Sequence, residues 1–457
     1  APTAPTAPTA PTAPTAPTVF DSVSPASSRR GGRLRIAFGS CHKTKAPHAD
    51  VWRSVGALEP DLFLWTGDAV YTSSADRRRF GSVGALERAF HEMTAPASPY
   101  AQFVSSAAGP AFVEGTWDDH DMGFNDGGKH VPKRDERQRL FLDFLRVPAE
   151  SPRRASRKGL YSAHRYIASS SPSSNENNHP SVSVVLLDTR FHRDDHVVPS
   201  TGGVSWLPFG AVIAAFTRAL TSGMDHAGDV LGEEQWAWLD AVLQESAPVS
   251  DLTIVVSSIQ IFTSNPMVES WNHFPRARQR LIELIGKHKP RGLQFLSGDV
   301  HYAELAALPG GQVVEITSSG LTHSCTSPFW GGVCPDILSL FGSHRDHVRG
   351  RSSYTGRNFG SVDVDWQQGT ATTSIHDVVT GRRVAGFNRS LEKDSGLDTA
   401  ALQRWAHRSR AHGSQVAGTC LAVLLMGCLF AAAAVLTWCG CRRCSWAPKK
   451  KSWEKTQ

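Results

Sequence analysis

The sequence lacks three features that would assign its class at once. Outside residues 440–457 it has almost no net charge: of a total of +6, those residues carry +5, from Arg442, Arg443, Lys449, Lys450, Lys451 and Lys455 against Glu454. A broad nucleic-acid surface needs clustered basic charge on the body of a protein, so none is indicated. Cysteine is scarce where a disulfide scaffold would need it. Of eight cysteines, Cys420, Cys428, Cys439, Cys441 and Cys444 lie in or just after the apolar C-terminal stretch. Cys41 stands alone, and Cys325 and Cys334 flank a Pro/Gly-rich loop where a disulfide is one reading. The sequence also begins without Met or a signal peptide, and reads as a mature or trimmed form.

What is present suits one large enzyme domain with appendages. The 457 residues are 40% hydrophobic and 20% charged, near globular averages. Residues 1–18 are six copies of Ala-Pro-Thr, which cannot bury a core and should stay extended. Residues 33–389 read as α/β. Short apolar runs at 34–38, 62–65, 111–113, 182–187, 252–256, 293–296 and 313–316 predict buried strands. Helical periodicity appears at 135–146, 232–245 and 275–285. The segments 361–366, 372–376 and 383–387 read as antiparallel strands closing a second sheet, and 169–180 as a polar insertion joining two strands.

Residues 416–438 hold no charge and are long enough to cross a ~30 Å hydrocarbon core. The basic residues that follow predict a cytoplasmic tail, with the body lumenal or extracellular. Asn388-Arg389-Ser390 would then be an N-glycosylation sequon on the lumenal side.

Chemistry concentrates at the strand ends, where open α/β sheets place their sites. The first run leads into Gly39-Ser40-Cys41-His42, the second into Thr66-Gly67-Asp68, with Tyr71 three residues on. The third leads into Trp117-Asp118-Asp119-His120-Asp121, with Asn125 and Asp126 beyond. Later runs end in Asp188-Thr189-Arg190 and Ser297-Gly298-Asp299-Val300-His301. Alone, a Gly-Asp is usually a turn and a buried Cys a small hydrophobe. Together, thiolate, phenolate, carboxylate and imidazole suit a transition metal, and one carboxylate such as Asp68 can bridge two cations. An extended Asp299-Val300-His301 would put its carboxylate and imidazole on one side.

The motif series resembles that of the alkaline phosphatase D (PhoD-like) family, within the calcineurin-like metallophosphoesterases. The resemblance covers roughly residues 34–388 and extends to Glu269-Ser270-Trp271, Phe274-Pro275 and Arg278. It implies a four-layer αββα sandwich with ferric iron and calcium, although another divalent metal is compatible. Carried over, it makes Cys41, Asp68, Tyr71 and Asp299 iron ligands, with Asp68 bridging to calcium. Asn125, His301 and one of Asp118 or Asp119 would serve the calcium or substrate side. His120 would be a general acid or a phosphate contact, and Arg190 a phosphate contact or an ion-pair partner. The chain departs from some bacterial members in lacking an N-terminal immunoglobulin-like domain, so the loops at 169–180 and 321–335 are candidates for setting access. The expected parts are an arm at 1–30, the phosphoesterase domain at 31–390, a stalk at 391–415, a transmembrane helix at 416–438 and a basic tail at 439–457.

The expected activity is hydrolysis of phosphate mono- or diesters by a metal-bound hydroxide, with His120 or His301 assisting the leaving group. The competing reading is a catalytically inactive, membrane-anchored binding protein on the same scaffold. A purely structural surface protein leaves the strand-end clusters unexplained. Substrate, membrane and oligomeric state are not legible.

Overall fold

The computed structural model describes residues 19–26, 32–44, 49–72, 81–168, 179–201, 210–263, 265–307, 313–326, 334, 353–391 and 397–444, without side chains at 211, 423–425 and 427–444. The Ala-Pro-Thr repeat, the insertion at 169–178, most of the loop after Thr326 and the tail from 445 lie outside the described residues.

Two sheets form the centre. One has eight strands: β1 (Ser22–Ala26), β5 (Ser162–Ala168), β6 (Ser181–Leu186), β7 (Leu252–Val256), β8 (Gln294–Ser297), β9 (Ala303–Ala307), β10 (Val314–Ser318) and β11 (Ser353–Tyr354), in the order β1-β5-β6-β7-β8-β10-β9-β11. The other has six: β2 (Arg33–Gly39), β3 (Leu62–Thr66), β4 (Phe112–Thr116), β12 (Asn358–Asp365), β13 (Thr370–Asp377) and β14 (Arg383–Ser390), in the order β14-β13-β12-β2-β3-β4. The late meander therefore does close the second sheet, since β12 pairs antiparallel with β2. β5 and β6 pair antiparallel across the polar insertion. Ser22–Ala26 differs from expectation. It is an edge strand parallel to β5 rather than part of the arm.

Strand alternation sorts the core into three layers of side chains. Leu62 and Leu64 face the other sheet and meet Ile36, Phe38, Val184, Leu186, Ile254 and Ile316. Phe63 and Trp65 point the opposite way, onto helices α1 (Ala49–Gly56), α2 (Val83–Thr94), α3 (Pro99–Ser105) and α5 (Arg134–Phe144), which supply Trp52, Phe90, Phe103 and Phe144. Between α3 and α5, residues Asp119–Met122 form the short helix α4, and Pro152–Ala155 form α6 beyond. On the far side Val185, Val255 and Phe295 meet α8 (Glu233–Ser246), α9 (Pro275–His288) and the first turns of α10 (Thr399–Cys444) through Trp236, Ile282 and Trp405. Helix, sheet, sheet and helix are thus stacked in four layers. The remaining helix, α7 (Gly210–Thr221), packs beside α10.

The backbone of α10 runs through 416–438. Residues 399–409 of it are docked rather than a free stalk, with Leu402, Trp405 and Ser409 buried. Among the described residues no helix is long and apolar enough to cross a membrane, and most side chains of 416–438 lie outside them.

Removing the inter-sheet contact should be costly where removing an equally apolar surface group is not. Phe38 is fully buried between the sheets, whereas Val379 is 64% exposed. Phe38→Ala should cost about 3–5 kcal/mol and Val379→Ala less than about 0.5 kcal/mol, read from denaturant midpoints. Equal midpoints for the two variants would contradict the four-layer packing.

Candidate metal centre

The site forms where the carboxyl ends of strands from both sheets converge, and two glycines permit the approach. A Cβ on Gly67, at φ +99°, would lie 2.5 Å from Asp118 Cβ. One on Gly298 would lie 2.5 Å from the Thr66 carbonyl oxygen and 2.6 Å from Ser40 Oγ. The turns leaving the strands are tight enough to put non-glycine residues at positive φ: Cys41 at 61°, Asp68 at 53°, Asp126 at 56°, Asp299 at 70° and His301 at 61°. Each such position stores roughly 1–3 kcal/mol, and their concentration here marks a functional site.

The ligand-bearing atoms fall into overlapping groups, each spanning no more than 4.8 Å. Cys41, Asp68 and His301 form one, Asp68, Asp119 and His120 a second, and Asp118, Asp119 and Asp299 a third. Asp68 belongs to the first two and Asp119 to the last two, so the cluster is continuous. Tyr71 joins the first: its hydroxyl donates to Asp68 Oδ2 at 2.5 Å and lies 3.4 Å from His301 Nε2. The Cys41 thiol donates to Asp68 Oδ2 at 3.5 Å, and Ser319 Oγ accepts from the His301 N–H at 2.9 Å.

This grouping differs from the division that the resemblance implies, which gave Asp299 to the iron side and His301 to the other. An extended Asp299-Val300-His301 would put both side chains on one face. In the structure β8 ends at Ser297, and the left-handed backbone at both Asp299 and His301 breaks the alternation. Asp299 turns to Asp118 and Asp119 while His301 turns to Cys41 and Asp68. Asn125 lies half-buried in the loop after α4, next to Asp126, whose backbone N–H donates to Asp119 Oδ2 at 2.6 Å.

Local structure explains the acidic run. Asp121 is structural: its carboxylate accepts from the N–H groups of Asp118 at 2.9 Å and Val70 at 3.1 Å, fixing the start of α4. That leaves Asp118, Asp119 and the half-buried His120 to face the cluster. Asp188 is also structural, accepting from Trp117 Nε1 at 2.8 Å and Leu160 N at 2.7 Å.

Arg190 is held in ion pairs. It is fully buried, with Nε 2.5 Å from Asp118 Oδ1 and Nη1 2.8 Å from Glu269 Oε1, so the ion-pair alternative is the one realised. Behind it, Arg193 pairs with Glu269 at 3.2 Å and Arg218 with Asp126 at 3.0 Å. Asp126, His196 and Glu269 have metal-ligand spacing, but these arginines already compensate the carboxylates. Sequence reading missed this network, because its members are far apart in the chain. It also missed His323, whose ring lies 4.5 Å from that of His301 and 5.2 Å from Tyr71, and whose Nε2 is buried without a hydrogen-bond partner. A histidine inside a loop suspected of controlling access was the available signal. The neighbouring disulfide, Cys325–Cys334, does form.

The electrostatics favour a cation. Asp118 Oδ2 and Asp119 Oδ1 are buried with no hydrogen-bond donor. Desolvation, then the Asp119 and Asp118 charges, push Asp68 well above the usual carboxylate range; desolvation, then Asp118 and Asp119, do the same to Asp299. Desolvation carries Asp118 up to about 7 against the Arg190 charge, and Asp121 to about 8. It also raises the Cys41 thiol and the Tyr71 phenol, in each case helped by Asp68, and lowers His120 and, to about 4, His301. Orphaned carboxylate oxygens beside a thiol, a phenol and imidazoles are a donor set that fits metal ions.

Comparison with known proteins agrees. Residues 179–375 match the model of the family described as PhoD-like phosphatase, which takes in Asp188, Arg190, Glu269, Asp299 and His301. The resemblance read from the motifs is thereby shown, and metal-dependent phosphoester hydrolysis is the chemistry it points to. A solved structure of PhoD is similar at 16% identity, covering 86% of this chain and 78% of its own, with a TM-score of 0.50. The purple acid phosphatase PPD1 from yellow lupin (Lupinus luteus) seeds is similar at 12% identity over 79% of this chain and 54% of its own, with a TM-score of 0.42. At 16% identity the likeness to PhoD concerns fold alone. No curated protein matches the sequence.

The shifted groups set a pH test. A carboxylate whose pKa is raised by folding stabilises the fold while protonated, and that contribution is lost as pH rises through the folded value. Below about pH 6.5 the lowered His120 and His301 act in the opposite sense, because unfolding lets them take up protons. Metal-free protein should therefore lose thermal stability from about pH 6.5 to 8, the upper limit set by Asp121 at about 8. Added divalent cation should remove that loss. Melting curves at both pH values, with chelator and with cation, decide it; a chelated protein whose Tm holds or rises would refute the argument.

Proposed function

We propose that the chain is a phosphoester hydrolase with a two-cation centre. Cys41, Asp68, Tyr71 and His301 would hold one ion, ferric iron by family resemblance. Asp118 or Asp119, Asn125 and Asp299 would hold the other, calcium or another divalent metal, and Asp68 belongs to the group that overlaps both. The observation that carries this is the continuous set of ligand groups with two donorless carboxylate oxygens at its centre. Bound ions would neutralise charge developing on the phosphoryl group and make an attacking water acidic.

The chain's own residues supply the rest. The His120 ring lies tilted against that of Tyr71 with centroids 4.1 Å apart, and its backbone N–H donates to Asp68 Oδ1 at 3.3 Å, which holds the imidazole at the cluster. Burial keeps it neutral near pH 7, able to hydrogen-bond a leaving-group oxygen. Lys43 is exposed, with Nζ 5.6 Å from the Tyr71 ring centroid, and puts a cation at the approach to the site. Arg190 acts through Asp118 as a positioning residue. Mono- and diesters both fit this chemistry.

The membrane anchor is part of the proposal. It is supported by the uncharged sequence of 416–438, the helical backbone through it, and the exposure of Leu421 and Met426 at 53% and 52%. The basic tail would lie in the cytoplasm and the catalytic body on the other side, where Asn388, exposed on the edge strand β14, is open to glycosylation.

Asp299→Ala should lower hydrolysis of simple mono- and diester substrates by more than about 10²-fold. Metal analysis of the same sample should show one ion lost and circular dichroism an unchanged fold. Full metal content with near-normal rates in the variant would defeat the assignment. Full metal content with no turnover by the unaltered protein would favour the binding-protein alternative.

A further inference from the structure

A second feature lies on the opposite face from the α1–α3 helices, where α10 crosses α9. Arg278, on the first turn of α9, is only 2% exposed. Its guanidinium sits over Trp405 at 5.0 Å, and Nη1 donates to Ser409 Oγ at 3.3 Å. Among the described residues no carboxylate pairs with it. Desolvation, then the like charge of Arg410, lower its pKa to about 10. A buried cation facing another cation is unfavourable unless something negative completes the site.

Space for that group is present. A cleft of about 700 Å³ lies over this crossing, lined by Arg276, Arg278, Arg280, Arg410, Asp225 and Glu283 among others. The two acids do not balance the four arginines. Asp225 is shared by Arg276 at 2.6 Å and Arg410 at 3.4 Å, while Arg280 is held by Glu233 and Glu283 accepts from Gln279. The first N–H groups of α9, which have no helical partner, add positive potential at the same end.

We infer that this cleft binds a phosphate-class oxyanion, held by Arg278 from below and by Arg276 and Arg410 at the rim. Planar guanidinium forks match phosphate oxygens, and several converging arginines are the usual means of holding one. Two sources share this chemistry. Arg410 precedes position 416 by six residues, about 9 Å of helix, which puts the cleft near headgroup depth if 416–438 crosses a bilayer. That source, a lipid headgroup, rests on the membrane reading above; free phosphate does not.

The test is calorimetric titration of the full metal-loaded chain in maltoside micelles, with inorganic phosphate and separately with dihexanoyl phosphatidic acid. One anion site should persist after chelation of the metals, and Arg278→Met and Arg410→Glu should each weaken that site by about tenfold or more without changing ester hydrolysis. Arg410 is exposed, so its variant keeps the test valid where Arg278→Met fails to fold. Tighter binding of the lipid than of phosphate, lost in the same variants, assigns the headgroup; equal or weaker binding of the lipid assigns free phosphate. Anion binding that vanishes with chelation, or that Arg410→Glu leaves unchanged for both probes, overturns the inference. Because the chelator-resistant site is read separately, absence of hydrolysis would count against the phosphoesterase reading alone.

Discussion

Asp68, Asp118 and Asp119 are buried, Asp299 is half-buried beside them, and their oxygens lie close enough to share cations. Mutual repulsion in a poorly hydrated space is the constraint that the surrounding structure has to meet. Two like charges a few ångströms apart cannot both ionise there without compensation. The fold imposes this crowding. Gly67 and Gly298 let the strand ends of separate sheets come within side-chain reach, and hydrogen bonds such as Thr116 Oγ1 to the Leu187 carbonyl, at 2.7 Å, tie the sheets together there. The inter-sheet core that includes Phe38 and Ile316 sets the spacing behind them. An apolar arrangement would be easier to fold. That the chain instead holds five site residues at positive φ argues that the cluster is kept for what it binds.

Compensation comes from one side only. Arg190 neutralises Asp118 from behind and is itself shared with Glu269, which Arg193 also contacts. Arginine suits this position because its charge survives burial and its fork addresses two carboxylates at once. On the open side, no ion pair to Asp68, Asp119 or Asp299 forms among the described residues. The asymmetry orients the centre. The protein cancels charge where nothing can bind and leaves it uncancelled toward the mouth, where His120, His323 and Lys43 gather. Breaking such a buried pair exposes the remaining charge to its full desolvation penalty, so Arg190 serves the site by offsetting part of the cost of ionising Asp118 and by holding it in place.

Much of this was legible in the sequence because strands buried on both faces are written as continuous apolar runs. The runs at 62–65 and 252–256 correspond closely to Leu62–Thr66 and Leu252–Val256, and Asp68, just after the first, marks the site. Helices α1, α2 and α3 were not legible. They are short, and their apolar residues interleave with loop sequence until Trp52, Phe90 and Phe103 are seen to share one cluster. The edge strand Ser22–Ala26 contains a proline and little apolar character, so only pairing with β5 reveals it. The arginine network joins residues 118, 126, 190, 193, 218 and 269, and no local pattern connects them. The motifs name residues that the fold brings together, but not how they divide into groups.

That last point turns on the backbone between Gly298 and His301. Residues two apart on a strand share a face, and this rule put Asp299 and His301 on one side. The strand has already ended, and two consecutive odd-numbered residues adopt φ of 70° and 61°. The peptide therefore swivels between them, and a single tetrapeptide contributes to two of the ligand groups. Gly298 makes room for the swivel, and the Ser319 hydroxyl, accepting from the His301 N–H, fixes its end point. The same serine hydroxyl lies 3.0 Å from Cys41 Sγ, so one side chain touches both a thiol and the backbone of a histidine that belong to one ligand group. Substitutions in this segment therefore disturb two of the ligand groups together, and neither group can be altered here without the other.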